Sequence, residues 1–166
     1  MNQLLLRLVK IAEGEVGVRE TSKNTGDRVI QYQRATWLAP GPWPWCAAFL
    51  CWCLREWLIS REVRDAFGIH DPVSAESWRC RDALAYGWEE WASKRNLELF
   101  PDTALPRIGD IVTYDFSHIG LVVGVKGDSI TTVEGNTNGD GSRDGDGVYV
   151  KTRKRTLIRK IIRLLD

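Results

Sequence analysis

The sequence has few histidines, no excess of either charge and no apolar run long enough to cross a membrane. With only two histidines, and cysteines that lack a C-x2-C spacing, a zinc site has weak support. The 23 Lys and Arg residues balance 22 Asp and Glu residues, so nothing in the net charge indicates a nucleic-acid partner. We therefore predict neither nucleic-acid binding, nor membrane insertion, nor a metal or other cofactor.

The N-terminus also lacks a complete secretion signal. The apolar run Leu4–Leu6 is interrupted by Arg7 and Lys10, and no small-residue cleavage site follows. We expect a protein that is made in the cytoplasm without a signal peptide. It would then reach a target outside the cell membrane through an export machinery or after lysis.

Helical periodicity dominates the first part of the chain, and the 166 residues predict one domain without repeats or a linker. Predicted helices cover residues 3–17, 26–37 and 44–59. Asn24 or Thr25 is the expected N-cap of the second helix. The following stretch is less regular: we expect residues 61–67 to extend or follow the third helix and residues 74–86 to hold a short helix.

The period changes to two after Pro101. Helices first and strands afterwards predict an α+β domain with an antiparallel sheet. The predicted strands cover residues 108–116, 118–125, 128–134 and 148–153, with a last strand or short helix over 157–164.

The apolar stretch Trp43–Cys53 contains three of the four cysteines. Pro44 suits the first helical position, because its missing N–H would have no partner there. A helix from Pro44 places Cys46 in the first turn, where unpaired N–H groups and the positive end of the macrodipole favour a thiolate. The alternative is a buried tryptophan-rich helix whose cysteines are small apolar residues. In either case we expect free thiols.

A histidine begins the second predicted strand. Ile119 and Leu121 share one face of this strand, whereas His118 and Gly120 lie on the other. Because glycine lets another element come close, we expect the face with His118 to accept the end of the cysteine helix. His118 would then act as a general base, and the alternative is a structural hydrogen-bonding residue. His70 is predicted to lie in a surface loop.

Two polar residues end the next strand. Glu134 and Asn136 are two apart, so both point to one side if the strand continues that far. One would hold the imidazole in its productive tautomer, and the other would help to fix the ring or donate to an oxyanion. With Cys46 and His118 they complete the nucleophile, base and orienting group of covalent acyl transfer. Taken alone, residues 134–136 are equally typical of a turn.

These segments resemble the CHAP family, the cysteine- and histidine-dependent amidohydrolases/peptidases. The matching motifs occur in the family's order and cover about residues 25 to 155 within the single predicted domain 1–166. The NlpC-type cell-wall peptidases are related, but they usually place another polar residue, often histidine, where Glu134 stands. The motifs are Trp45–Phe49, Gly109–Val112, Ser117–Gly124 and Glu134–Thr137.

The resemblance implies a papain-like fold, with N-terminal helices packed on the antiparallel sheet, and cleavage of amide bonds in bacterial peptidoglycan. The enzyme would be an N-acetylmuramoyl-L-alanine amidase or a peptidoglycan endopeptidase. It implies Cys46 as nucleophile, His118 as base, Glu134 as orienting residue and Asn136 as a supporting polar residue. Such domains occur in phage endolysins, bacterial autolysins and exported antibacterial effectors, and an immunity protein is a possible partner of an effector. We expect a monomer that acts on the cell wall.

Two features depart from parts of this family. Some members bind calcium through an Asp-rich loop ahead of the cysteine, where this chain offers only Asn24 and Asp27, so no calcium site is predicted. The loop 136–147 carries aspartates among glycines but lacks the glutamate of an EF-hand, and we interpret it as a flexible hairpin loop. The basic tail after Val150 would bind anionic wall polymers or, alternatively, form a solvated edge that blocks aggregation.

Two other functions remain open from the residues alone. A thiol transacylase or transpeptidase would use the same site with an amine or alcohol in place of water. A non-catalytic cell-wall-binding module would use the cysteine helix only as core.

Overall fold

The computed structural model describes residues 2–166, which form six α-helices and six β-strands with a short 3₁₀ turn at Arg155–Leu157. The helices are α1 (Gln3–Glu13), α2 (Asp27–Gln33), α3 (Cys46–Trp57), α4 (Arg61–Ala66), α5 (Pro72–Trp78) and α6 (Gly87–Lys94). The strands are β1 (Glu98–Pro101), β2 (Ile111–Tyr114), β3 (His118–Lys126), β4 (Ser129–Thr137), β5 (Gly147–Lys154) and β6 (Ile158–Arg163).

The strands form one sheet in the order β1-β6-β2-β3-β4-β5, and every neighbouring pair is antiparallel. Strands β2 to β5 follow one another as hairpins, whereas β6 returns to lie between β1 and β2. The predicted α+β class, with N-terminal helices and an antiparallel sheet, is confirmed. No helix within residues 2–166 has both the length and the apolar character that crossing a membrane needs.

The two faces of the sheet bury different cores. Ile119, Leu121 and Val133 pack with the helices, including α3. Val122 on the opposite face belongs to a second, smaller core. The predicted alternation along β3 is therefore confirmed.

The glycine-bearing face, expected to accept the end of the cysteine helix, does not receive the body of that helix. Helix α3 packs on the face of Ile119 and Leu121. A Cβ atom on Gly120 would lie 2.9 Å from Cγ of Glu134. The glycine therefore makes room for a side chain of the neighbouring strand rather than for a helix.

Several predicted boundaries are wrong at the helix ends. Helix α1 ends at Glu13 rather than at residue 17, and Val16, which lies within the predicted helix, is 42% exposed. Helix α2 has Gly26 as its N-cap, with no side-chain cap, in place of Asn24 or Thr25. At the end of α1 and at the start of α2, hydrogen bonds within the adjoining turn compete with those of the helix. Helix propensity alone does not predict which of the two sets forms.

The irregular region before Pro101 contains two elements that the periodicity did not predict. Helix α6 follows Tyr86, and β1 forms before the predicted start of the strands. Strand β1 is short and mostly exposed, so it lacks the apolar alternation that marks the other strands. The last segment, for which a strand and a helix were both open, is strand β6.

The contact between α3 and the end of β4 generates a stability prediction. A Cβ atom on Gly135 would lie 2.6 Å from Cβ of Phe49 and 2.9 Å from Cζ3 of Trp45. Gly135→Ala should lower the free energy of unfolding by about 1–3 kcal/mol, because the packed core must shift to admit the methyl group. Urea denaturation measures the change. Gly139→Ala, at a position with nothing within 4 Å, is the matched control, and equal stability of both variants would contradict the packing.

Candidate active site

Cys46 is the first residue of α3, and 7% of its surface is exposed. The helix is buried from Cys46 through Leu54, because its sequence is apolar on every side. The sulfur therefore lies at the mouth of a core helix. The N–H groups of this first turn have no acceptor within the helix.

The predicted helix start at Pro44 is wrong by two residues. Trp45 is the N-cap, with non-helical φ −121° and ψ 20°. Its backbone N–H donates to Oδ1 of Asn136 at 3.0 Å, and its indole Nε1–H donates to Oε1 of Glu20 at 2.7 Å. These tertiary hydrogen bonds hold Trp45 outside the helix and set Cys46 closer to the dipole's positive end.

Gln33, which the sequence analysis did not single out, holds the loop that leads to Cys46. Its buried side chain donates through Nε2 to the carbonyl of Gly41 at 2.7 Å and lies 3.2 Å from that of Trp43. Its Oε1 accepts the N–H of Gly41 at 3.2 Å. One amide thus satisfies backbone groups of a proline-rich loop that has few internal hydrogen bonds.

His118 is the first residue of β3 and is fully buried. Its ring stacks on Phe116 and Tyr114, with centroids 5.8 and 6.1 Å away. The preceding turn is held by Tyr86, whose hydroxyl accepts the N–H of Ser117 at 3.0 Å and donates to the carbonyl of Asp115 at 2.9 Å. This clamp stabilises Ser117 in the left-handed region, at φ 58°.

Glu134 lies on the same face as His118 and is also fully buried. Its Oε2 accepts a hydrogen bond from Nε2 of His118 at 2.9 Å. Its Oε1 accepts from the hydroxyls of Thr132 at 2.6 Å and Tyr114 at 3.0 Å. The predicted orienting contact between Glu134 and the imidazole is present in the structure.

Arg153 completes the coordination of this carboxylate. Its Nε and Nη2 groups donate to Oε1 and Oε2 of Glu134 at 3.0 and 2.6 Å. Arg153 belongs to the basic tail proposed above to bind wall polymers, but its side chain is only 9% exposed and already paired. Arg163, from the same tail, is likewise buried against Asp110. In the structure Arg153 pairs with the buried Ile130 of β4, a register that the sequence of β5 alone does not reveal.

Asn136 does not share a direction with Glu134, contrary to the prediction. The β4–β5 register shifts between Glu134 and Thr137, and Asn136 adopts φ 54°. Its Nδ2 donates to the carbonyl of Gly145 at 2.9 Å and to Oδ1 of Asn24 at 3.2 Å. With Oδ1 on Trp45, the side chain anchors the helix start and not the imidazole.

The ring of His118 interacts with both Glu134 and Cys46. With Nε2 on Glu134, the other nitrogen, Nδ1, is buried and has no conventional hydrogen-bond partner within residues 2–166. Burial lowers the pKa of His118, but its interactions with Cys46 and Glu134 raise it from 6.5 to about 9.

Glu134 remains ionised despite its burial. Burial raises the pKa of its carboxyl group, but hydrogen bonds from His118 and Arg153 and their positive charges lower it to about 2. A charged acceptor therefore faces the imidazole throughout the neutral range. It favours both the Nε2–H tautomer and the protonated ring.

The remaining cysteines lie in the core. All four thiols are free, and Cys51 and Cys53 are fully buried. Burial raises the pKa of both thiols well above the ordinary value. These residues match the apolar alternative, and Cys46 differs from them through its place beside His118.

The other predicted features lie away from this cluster. His70 is exposed in the loop before α5, as expected. The segment between β4 and β5 is a hairpin connection, tied down by Lys151, whose ammonium donates to the carbonyls of Gly139 and Asn138 at 2.6 and 3.0 Å. Within residues 2–166 no group of three or more His, Cys, Asp and Glu side chains is arranged to hold a metal ion.

Comparison with known protein families assigns the chain to one of them. The family model described as the CHAP domain matches residues 39–136, which is more than half of the chain and includes Cys46, His118 and Glu134. The chain belongs to the CHAP family. This assignment confirms the family that the resemblance of the motifs predicted.

The other comparisons add less to the CHAP assignment. No curated protein matches the chain. One similar solved structure is described as the crystal structure of Ly7917 with the hydrolyzing product of MDP. It has 13% sequence identity and a TM-score of 0.48, and the match covers 95% of this chain. The chain spans 62% of the length of that structure.

The contact between Cys46 and His118 generates a titration prediction. In wild type the His118 imidazole should titrate near pH 9, and in Cys46→Ala its pKa should fall, because the raising effect of the sulfur is lost. NMR titration of the two imidazole rings measures this, and His70→Gln assigns the signals. An unchanged pKa in Cys46→Ala would show that the sulfur and the ring do not interact.

Proposed function

We propose that this CHAP domain hydrolyses amide bonds of bacterial peptidoglycan, with Cys46 as nucleophile and His118 as general base and acid. The observation that carries the proposal is the buried imidazole of His118, which is hydrogen-bonded through Nε2 to the Glu134 carboxylate and is close enough to Cys46 for the thiol to raise its pKa. This arrangement supplies the three roles that covalent acyl transfer requires. The substrate class is the one that the resemblance to the CHAP family implies, and membership in that family supports it.

In the first step the sulfur of Cys46 attacks the carbonyl carbon of the amide. The thiol proton has passed to Nδ1 of His118, so a thiolate faces an imidazolium. Glu134 stabilises that imidazolium through Nε2, and its low pKa keeps it ionised while the proton moves. The new carbon–sulfur bond forms as the carbonyl π electrons move to oxygen.

The resulting oxyanion needs hydrogen-bond donors close to the sulfur. The first-turn N–H groups of α3, including that of Cys46, have no intrahelical acceptor and point out of the helix start. The same end carries the positive pole of the macrodipole. Asn136 contributes indirectly, because its bond to the Trp45 N–H fixes where this turn begins.

Collapse of the tetrahedral intermediate breaks the carbon–nitrogen bond. The His118 imidazolium gives its proton to the departing amine, which leaves as a neutral product. His118 then takes a proton from water, whose oxygen attacks the thioester. Release of the carboxylic acid restores the sulfur and the protonated ring.

The thiol mechanism predicts the behaviour of two variants. Cys46→Ala and His118→Ala should each lower the rate of cell-wall clearing by at least about 1,000-fold, because the catalytic groups act as a unit. Turbidity loss of purified cell walls measures the rate, and circular dichroism checks that the variants fold. Equal rates of clearing by wild type and both variants would contradict the thiol mechanism.

Two controls separate this hydrolase from its alternatives. Hydrolysis adds one water across the cleaved bond, so the summed mass of the products exceeds that of the substrate by one water. A transacylase would instead add the acceptor amine or alcohol to the acyl product. Iodoacetamide should modify Cys46 before Cys51 or Cys53, whose buried thiols have raised pKa values. Equal reactivity of the cysteines, together with no clearing, would favour a non-catalytic binding module.

The raised pKa of His118 also predicts the basic limb of the pH profile. Below pH 9 the ring is protonated and can donate to the leaving amine. Above that value the proton is lost, so kcat/KM for soluble wall fragments should fall as pH rises through about 9. Initial rates from pH 6 to 10.5 test this, and a decline centred near the ordinary histidine pKa would contradict it.

The biological setting follows from where the substrate lies. Peptidoglycan is outside the cytoplasmic membrane, so the enzyme must pass that membrane by export or after lysis. A holin gene beside the coding sequence would support a phage endolysin. An immunity gene there would support an exported antibacterial effector with an inhibitor partner.

A further inference from the structure

Arg153 makes a more extensive contact with Glu134 than His118 does. Its guanidinium is bidentate, with Nε on Oε1 and Nη2 on Oε2. Oε2 is the same oxygen that accepts the hydrogen bond of the His118 ring. The place of that oxygen is therefore set jointly by an arginine and the imidazole.

The guanidinium is held by groups other than Glu134. It lies over the rings of Phe116 and Tyr114, 5.3 and 5.5 Å from their centroids. Its third nitrogen, Nη1, donates to the carbonyl of Gly141 at 2.9 Å, in the connection between β4 and β5. Because these contacts do not involve the carboxylate, Arg153 offers Glu134 a preformed fork.

A buried carboxylate needs both charge compensation and a defined orientation. Tyr114 and Thr132 donate to Oε1, but their hydroxyls are neutral and do not touch Oε2. Arg153 supplies a positive charge whether or not His118 is protonated. Removing one partner of a buried ion pair leaves the other charge uncompensated, and the remaining group then moves or takes up a proton.

We propose that Arg153 is a positioning residue for the thiol reaction: it holds Oε2 of Glu134 where the His118 Nε2–H donates to it, so that Nδ1 stays directed at Cys46. This assignment rests on the proposed function for its catalytic consequence. The geometric part concerns the free protein and can be measured without substrate.

The charged and titratable groups around the His118 ring come from four elements. They are Cys46 on α3, Tyr114 on β2, Glu134 on β4 and Arg153 on β5. Arg153 reaches the ring through the shared oxygen rather than by direct contact. Its loss should therefore appear first in the hydrogen bond between Glu134 and His118.

The chain contains a matched control for the loss of a buried arginine. Arg163 makes a bidentate pair with Asp110, at 3.0 and 2.8 Å, and is 6% exposed. Asp110 precedes β2 at the end opposite Tyr114, the residue paired with His118. Arg163→Gln therefore breaks a similar ion pair in the same sheet without touching the site.

The experiment compares Arg153→Gln, Arg153→Lys and Arg163→Gln with wild type by NMR and kinetics. The probes are the downfield Nε2–H resonance of His118 and the hydrolysis of soluble wall fragments. The resonance should persist in wild type and Arg163→Gln, weaken in Arg153→Lys and disappear in Arg153→Gln. The value of kcat should fall about 10- to 100-fold in Arg153→Gln, with KM within about twofold, as for other residues that orient a reacting group. Arg153→Lys should restore part of it, because lysine keeps the charge but not the fork.

Each outcome decides the assignment. An unchanged resonance and kcat in Arg153→Gln would overturn it. An equal loss of resonance and kcat in Arg163→Gln would also overturn it, because the effect would then be a general loss of stability. If Arg153→Gln does not fold, a lower kcat and weaker resonance in Arg153→Lys than in Arg163→Gln support the assignment, and equal values overturn it. If wild type hydrolyses nothing but the resonance depends on Arg153, the proposed function fails and the positioning role stands.

Discussion

The buried carboxylate of Glu134 is the constraint on which the candidate active site depends. Its two oxygens have partners on four neighbouring strands: Tyr114 on β2, His118 on β3, Thr132 on β4 and Arg153 on β5. An ionised group that water does not reach needs hydrogen bonds and opposite charges around it, because otherwise it is neutralised by a change in protonation. The same hydrogen bonds therefore stabilise the sheet and give the imidazole its orientation and charge.

The hairpin of β4 and β5 contacts both the histidine and the cysteine helix of the site. Glu134 projects into the smaller core and reaches His118, whereas the register shift that follows lets Asn136 reach Trp45 and the start of α3. Gly135, between them, allows Phe49 and Trp45 to pack directly on the strand. One irregular tripeptide thus sets the position of the thiol relative to the ring, as bulges often do beside active sites.

Much of this was predictable from local patterns. The apolar run after Cys46 indicated a buried helix, and the alternation around His118 indicated a strand with one face in each core. Glu134 was predicted as the orienting residue from the family resemblance. Three features were not predictable: the helix start at Cys46, the face on which α3 packs, and the burial of Arg153. Each depends on a contact with a residue distant in the sequence, respectively Asn136, Ile119 and Glu134.

By itself, the sequence determined which residues could do chemistry and which elements would carry them, because periodicity and residue type act over a few positions. It placed a cysteine at a helix start, a histidine at a strand start and an acid on the next strand. Only the tertiary structure decided how they meet, since burying a carboxylate requires partners from several strands at once. Among the many basic residues of the tail, Arg153 is the one that pairs with the buried Glu134, and no local sequence pattern indicates this pairing.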